Sequence, residues 1–224
     1  MSTGNVNLIV TCTRRKTITA GQTVFPYEHD AGNAYEVWLE RLARARNDGA
    51  AITAGELYTG QHWSRAAAAA KRTGAELWVI SAGLGLLHVS DPVVPYEATF
   101  SSMPFCHRTH WERLTTRPPA ERRSASLRAL MQARHKDQFI VAASPLYVHA
   151  VEDDLCAGRA ELASLNQLTI VTSKGYQGRL GNNIALSSAA MMNELKTNMT
   201  GLNISHAVKI LDNHPDKYVP GGST

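Results

Sequence analysis

The sequence predicts an α/β protein, a three-layer α/β/α sandwich around a central, four-stranded, mostly parallel sheet. Four short apolar runs rich in β-branched residues are typical of buried central strands. Segments with helical spacing separate these runs, and strands that alternate with helices form parallel sheets covered on both faces. The 224 residues, 44% of them hydrophobic, are enough for one domain with a full core.

The four strands are predicted where apolar runs without proline end in small or polar residues. In chain order the runs are VNLIVTC (6–12), AELWVISA (75–82), DQFIVAAS (137–144) and NQLTIVTS (166–173). Helix formers, flanking prolines and terminal glycines predict the helices between and after them. The predicted helical segments are 33–46, 62–74, 124–135, 146–158, 188–201 and 203–214. We therefore expect a single domain over residues 1–224, with a helical insertion at about 17–54 and C-terminal helices at about 187–214.

Composition and missing motifs exclude several classes of protein. Three scattered cysteines argue against a disulfide framework and a structural zinc site, and no strong ligand spacing such as H-E-x-x-H occurs. We expect no metal and no cofactor. No apolar run is long enough to cross a membrane, and the N-terminus lacks a signal-like pattern. The sequence therefore predicts a cytoplasmic protein that binds no membrane, and we expect a monomer.

The net charge of +4 is concentrated in one stretch. Residues 107–136 contain eight lysines and arginines against two acids, which gives this stretch a charge of +6. A local basic field is what a polyanionic partner requires. The alternative interpretation is an ordinary solvated helix surface.

In open α/β sheets, ligands bind beyond the carboxyl ends of the strands, so the residues that follow each strand are the informative ones. Clustered cations, main-chain N–H groups in glycine-rich turns and a capped helix start can all bind phosphate. The predicted phosphate-binding residues are Arg14, Arg15, Lys16, Ser144, Lys174 and Arg179. The alternatives are a surface turn at the first exit, a helix cap at Ser144 and a flexible connection around Lys174.

The exit of the second predicted strand is a long loop of special residues. Gly83 and Gly85 permit close approach of the backbone, and two later prolines stiffen the chain before Tyr96 and Glu97. A rigid loop that holds an aromatic ring and an acid suits stacking on a base and activation of water. The alternative is a structural loop with Tyr96 packed in the core. Glu56 is a second candidate acid, or a favourable charge in the first turn of a helix.

Four segments resemble a poorly described group of bacterial and phage proteins. The segments are LIVTCTRRK, GELYTGQHWSRA, WVISAGLGLL and VVPYEATFS. The positions that match the pattern of that group are Cys12, Lys16, Leu57, Tyr58, Ser81, Ala82, Gly85, Leu86, Leu87, Pro95, Tyr96 and Glu97. The likeness covers roughly the first 100 residues and departs at Trp63, where a phenylalanine is common, and in the insertion before Glu56.

That group is similar to the uracil-DNA-glycosylase superfamily, whose members have a small α/β/α sandwich and some of which are phage-defence enzymes that excise bulky modified bases. The segment ASPLY resembles the H-P-S-P-L motif of that superfamily, but Ala142 stands where the motif has its histidine. The acid that the superfamily carries after the first strand is also absent. The resemblance therefore implies a catalytic acid from elsewhere, either Glu97 or Glu56.

The resemblance, more than the chemistry of the residues, implies a DNA glycosylase, a hydrolase that removes a modified base from phage DNA, leaves an abasic site and acts in antiviral defence. Its catalytic residues would be Glu97, Glu56 and Tyr96, and its base-binding residues Cys12, Ser81, Gly83, Gly85, Tyr58 and Tyr147. The flipped base would stack on Tyr96 or Tyr147. The alternatives are a nucleotide or nucleoside-ribosyl transferase or hydrolase, and a nucleic-acid-binding module without catalysis.

Overall fold

The structure is a computed structural model that describes residues 4–49 and 51–213. Its strands are β1 (Val6–Thr11), β2 (Ile52–Thr53), β3 (Glu76–Ser81), β4 (Gly85–His88), β5 (Pro92–Val93), β6 (Gln138–Ala142), β7 (Leu168–Ser173) and β8 (Ile184–Ser187). Its helices are α1 (Ala31–Asp48), α2 (Ala54–Leu57), α3 (Gln61–Thr73), α4 (His107–Thr116), α5 (Leu127–Ala133), α6 (Pro145–Ala150), α7 (Glu152–Glu161) and α8 (Leu202–Asp212).

The main sheet has six strands in the order β4-β3-β1-β6-β7-β8. The neighbours from β3 to β8 are parallel, and β4 runs antiparallel to β3. The predicted α/β class with a mostly parallel sheet is confirmed. The four predicted strands form its centre, and one short strand extends the sheet at each edge. Strands β2 and β5 form a separate antiparallel pair.

The central strand β1 shows why the apolar runs become buried strands. Leu8, Ile9 and Val10 have no exposed surface, as expected for a parallel strand whose two faces are both covered. The polar side chain of Asn7 in this strand is buried, and both its donor and its acceptor atoms are hydrogen-bonded. Its Nδ2 donates to the Asp137 carboxylate over 3.1 Å, and its Oδ1 accepts from the Trp78 indole N–H over 3.2 Å.

The helices begin and end largely where local signals predict. The Asp30 carboxylate accepts hydrogen bonds from two backbone N–H groups of α1 over 2.8 and 3.1 Å, so it caps that helix. Helix α3 ends at Gly74, whose φ of 73° is the left-handed conformation that favours glycine. Helices α3 and α8 pack together on the sheet, and α4, α5, α6 and α7 form a second packed group.

Several predicted segments differ from the structure. Residues 188–201 form two 3₁₀ turns rather than an α-helix, and the predicted helix end at 214 lies outside the described residues. In the insertion predicted at about 17–54, the long helix spans only 31–48. The predicted exit loop contains the strands β4 and β5. Within the described ranges, no helix combines the length and apolarity needed to span a bilayer.

Candidate functional site

Several of the predicted site residues meet at the carboxyl ends of β1, β3 and β6, which are neighbours in the sheet. The Cys12 thiol lies 3.3 Å from the Tyr147 hydroxyl, and the Tyr96 hydroxyl lies 2.5 Å from Ser81 Oγ and 2.7 Å from the Tyr58 hydroxyl. The Lys16 ammonium lies over the Tyr96 ring, 4.8 Å from its centroid. We call these six residues the tyrosine cluster: Cys12, Lys16, Tyr58, Ser81, Tyr96 and Tyr147.

The two glycines after β3 serve close packing within the protein. A Cβ added at Gly83 would lie 2.8 Å from the Ala98 Cβ, and the Gly83 carbonyl accepts a 2.7 Å hydrogen bond from the Trp38 indole. Gly85 has a φ of +80°, and a Cβ there would lie 2.1 Å from Arg122 Nη1. The predicted base-binding role of both glycines is therefore corrected, because the protein's own side chains fill the space that their missing Cβ atoms leave.

Tyr96 is part of the core and has no exposed surface. Its ring packs edge-on against Trp38, and Lys16 covers it, so neither face is free for a base. The structure therefore corrects the expectation that Tyr96 stacks on the substrate. Tyr147 differs, because it is only half-buried, and its ring packs edge-on against Phe100 with centroids 4.9 Å apart.

The structure separates the two candidate acids. The exposed Glu56 carboxylate accepts hydrogen bonds from the Thr53 N–H over 2.9 Å and the Thr53 hydroxyl over 2.7 Å, which completes a capping box at the start of α2. This structural role corrects its assignment to the pocket. Glu97 has an exposed side chain, and its backbone pairs with the insertion through Thr23 and Phe25. Glu97 directly follows Tyr96, whose ring Lys16 covers at 4.8 Å, so the exposed Glu97 side chain belongs to the rim of the tyrosine cluster.

Lys16 is half-buried, and burial lowers the pKa of its ammonium, while the nearby Cys12 and Glu97 act in the opposite direction. Its Nζ donates a 3.2 Å hydrogen bond to the Thr13 carbonyl. Burial also raises the pKa of the Tyr58 and Tyr147 hydroxyls. Both phenols therefore keep their protons at neutral pH. The cluster thus offers an amine and hydroxyl donors beside an exposed carboxylate.

The predicted phosphate-binding residues have different surroundings. Exposed side chains at the strand exits belong to Arg14, Arg15, Ser144 and Lys174. The predicted phosphate-binding role of Arg179 is corrected. Its guanidinium pairs with Asp153 and with Glu152, whose oxygen lies 3.4 Å from Arg179 Nε. Ser144 precedes α6 but makes no side-chain cap bond.

The basic stretch at 107–136 is partly neutralised by acids that lie outside it. Half of its eight cations form ion pairs, namely Arg108–Glu152, Arg117–Glu36, Arg128–Glu161 and Arg134–Asp137. Arg122 is mostly buried, donates to the Leu84 and Leu114 carbonyls, and burial lowers its pKa to about 10. The sequence count of charges therefore overstates the field that this stretch presents to solvent.

Two buried polar residues that the sequence reasoning missed, one in α7 and one in α4, make hydrogen bonds between separate segments of the chain. Glu152 is 1% exposed and accepts a 2.5 Å hydrogen bond from the Tyr176 hydroxyl. Burial alone would raise the Glu152 pKa, but Tyr176, the Arg179 N–H and the charges of Arg108 and Arg179 outweigh it and lower the pKa. The other residue, His110, shares a 2.8 Å hydrogen bond with the Ala82 carbonyl just after β3. For Glu152, the acidic run that it forms with the two aspartates after it was the signal in the sequence that could have pointed to it.

We expect the free energy of unfolding to fall as the pH drops from about 6.5 to about 4. Burial lowers the pKa of His110 from 6.5 to about 4, so across this window the unfolded chain binds the proton and the folded chain does not. That difference corresponds to roughly 3 kcal/mol. His62, whose pKa burial also lowers to about 4, adds to the effect.

Urea unfolding between pH 4 and 7 measures this slope. His110→Gln should flatten it, and His29→Gln, at an exposed histidine, should keep the wild-type slope. An unchanged slope in His110→Gln would contradict the assignment.

A cleft of about 650 Å³ lies away from the tyrosine cluster, between α4, α5 and α7, and is lined by Trp111, Arg128 and Asp154 among others. It shares no residue with the cluster. Among residues 4–49 and 51–213, no group of three or more His, Cys, Asp or Glu side chains is arranged to hold a metal ion.

Comparison with known proteins matches the chain to a protein family. A family model described as "Family of unknown function (DUF6884)" matches residues 43–173, which is more than half of the chain. No curated protein and no solved structure matches. The matched range contains Tyr58, Ser81, Tyr96 and Tyr147 and ends with β7, whereas Cys12 and Lys16 precede it.

Proposed function

The chain belongs to the DUF6884 family of unknown function, and we propose that it is a DNA glycosylase, a hydrolase that cleaves the N-glycosidic bond of a base in DNA. The observation that carries the proposal is that the exposed Glu97 directly follows Tyr96, whose ring the half-buried Lys16 covers, at the rim of the tyrosine cluster. This arrangement lies at the carboxyl edge of a parallel sheet, where α/β proteins bind their ligands.

The chemistry of the bond fits these groups. When an N-glycosidic bond breaks, positive charge develops on the sugar and negative charge on the leaving base. Glu97 can stabilise the sugar cation or orient the attacking water. Lys16 and the protonated hydroxyls of the cluster can donate hydrogen bonds to the base, where negative charge develops. In this proposal the acid serves the sugar end and the donors the base end of the same bond.

The residues around the tyrosine cluster suit a nucleotide that flips out of the base stack of DNA. Tyr147 is only half-buried, which makes it the tyrosine of the cluster on which we propose that a flipped base stacks. The exposed Arg14 and Arg15 follow β1 after two residues and can contact the flanking phosphates. The resemblance described above favours phage DNA with modified bases as the substrate. We accordingly propose a cytoplasmic role in antiviral defence.

A second candidate is a nucleoside-ribosyl hydrolase or transferase that acts on small molecules. The observation that favours it is the pairing of the basic stretch with acids, because this pairing removes much of an extended track for DNA. The same acid and donors would serve either substrate.

The test incubates the protein with DNA from phages that carry different base modifications and with unmodified DNA, followed by alkali, which breaks strands at abasic sites. A parallel arm incubates free nucleosides and measures base release by chromatography. Alkali-dependent breaks in one modified DNA support the glycosylase. Base release from nucleosides with all DNA intact supports the second candidate. If neither strand breaks nor base release is observed, both candidates are rejected.

A further inference from the structure

The buried hydroxyls of the tyrosine cluster form a hydrogen-bonded chain with a fixed direction. Ser81 Oγ accepts hydrogen bonds from two backbone N–H groups, those of Gly83 over 3.2 Å and Leu84 over 3.0 Å. Its one hydrogen is therefore free to be given to its remaining neighbour, the Tyr96 hydroxyl 2.5 Å away. Ser81 and Tyr96 have no exposed surface, so water does not offer either hydroxyl another partner.

Counting donors and acceptors in the same way determines the direction of the hydrogen bond between Tyr96 and Tyr58. The Tyr96 hydroxyl receives the Ser81 hydrogen, and its own hydrogen points to the Tyr58 hydroxyl, 2.7 Å away. Tyr58 then accepts from Tyr96 and retains one hydrogen to donate. Tyr58 Oη makes no other hydrogen bond of good geometry among the described residues, and Ser81, which also lies near it, already accepts two N–H groups. A buried donor without an acceptor costs about 1–3 kcal/mol, which a ligand would recover.

We propose that the Tyr58 hydroxyl is the donor that recognises a carbonyl oxygen on the base, with Tyr96 and Ser81 as positioning residues that hold its hydrogen in place. The inference rests on the proposed function, since it names the chemistry by which that site recognises its substrate. Hydrogen bonds in a chain polarise one another, so the terminal donor is stronger than an isolated phenol. The hydrogen-bonded chain starts at two backbone N–H groups that follow β3. Its direction is therefore set by the backbone of the fold.

The approach to Tyr58 runs past its half-buried neighbours. Lys16 pairs with Tyr58 in an isolated antiparallel bridge, and Cys12 is near enough for its charge to raise the Tyr58 pKa. Both of these neighbours are only partly buried, whereas Tyr58 itself is 2% exposed. The Lys16 side chain, which lies over the Tyr96 ring and donates to the Thr13 carbonyl, borders this approach.

The test uses the free bases hypoxanthine and purine, which differ in the C6 carbonyl oxygen and the N1–H that accompanies it, in NMR-detected titrations of the full chain. The wild-type protein should bind hypoxanthine at least about tenfold more tightly than purine, as expected for one strong hydrogen bond. Tyr58→Phe should remove this preference and leave purine binding unchanged. Tyr96→Phe should reduce the preference by about threefold, because Tyr58 remains but its hydrogen is no longer directed.

Tyr35→Phe is the matched control, since Tyr35 is a buried tyrosine whose hydroxyl bonds to backbone carbonyls of α4 and its end rather than to the cluster. It should keep the wild-type preference. Equal affinities of the wild type for both bases, no binding of either base, or a preference that persists in Tyr58→Phe would overturn the inference. The proposed function fails independently if no DNA acquires abasic sites while the preference for hypoxanthine is present.

Discussion

Glu97→Gln is expected to lower the rate of base excision by about 100- to 10,000-fold, the range in which a positioned acid or base contributes to catalysis. The amide keeps the size of the side chain but can neither carry the charge that stabilises a sugar cation nor accept a proton from water. Because Glu97 is exposed and its backbone makes the contacts with Thr23 and Phe25, the fold should be unaffected. Single-turnover excision on the DNA identified in the alkali assay measures the effect.

Glu56→Gln is the matched comparison, because it makes the same chemical change in the other acid that the sequence offers. The amide oxygen can still accept the bonds from Thr53 that form the capping box, so excision should stay within about twofold of the wild type. A large loss in Glu56→Gln together with full activity of Glu97→Gln would reverse the assignment of the acid.

Glu152→Ala is expected to reduce the free energy of unfolding by about 3–5 kcal/mol, the cost of breaking a buried ion pair by removing one partner. The change leaves the Tyr176 hydroxyl without its acceptor and removes the acid that Arg108 and Arg179 share. It also loosens the contact between α7 and the segment after β7. Urea or thermal unfolding of the two proteins at pH 7 provides the measurement.

An exposed ion pair gives the control for this change. Glu194 pairs with Lys209 on the surface, so Glu194→Ala should cost at most about 1 kcal/mol. The pH dependence offers a second check. Because the folded-state pKa of Glu152 is lowered, its contribution is present at neutral pH and disappears as the pH falls through that pKa. The stability gap between wild type and variant should therefore narrow in acid, and a constant gap would argue against the charged role.

The centre of the sheet could be predicted because its strands are buried on both faces and so appear as continuous apolar runs. The edge strands β4 and β8 could not, since each has only four residues and too little pattern to distinguish it from a loop. The 3₁₀ turns at 188–201 were mistaken for a helix because methionine, leucine and lysine are good helix formers in isolation.

The place of the candidate site followed from topology, since parallel strands bring their exits to one edge. The roles within it did not, because each depends on a partner distant in sequence. Tyr96 is covered by Trp38 and Lys16, and Arg179 is held by Asp153 together with Glu152. The Glu56 cap was an exception, because its T-x-x-E spacing from Thr53 is a local signal that the sequence contained.

The paired arginines of residues 107–136 also bear on how binding would respond to salt. Affinity for DNA falls with salt because bound cations displace counterions from the phosphates, with a logarithmic slope of about 0.9 for each phosphate contacted. An arginine that already holds a carboxylate, as Arg117 and Arg128 do, must first exchange that anion for a phosphate. Ionic strength should therefore weaken a complex at this surface less steeply than eight free cations would imply, and discrimination between substrates would depend mainly on the base.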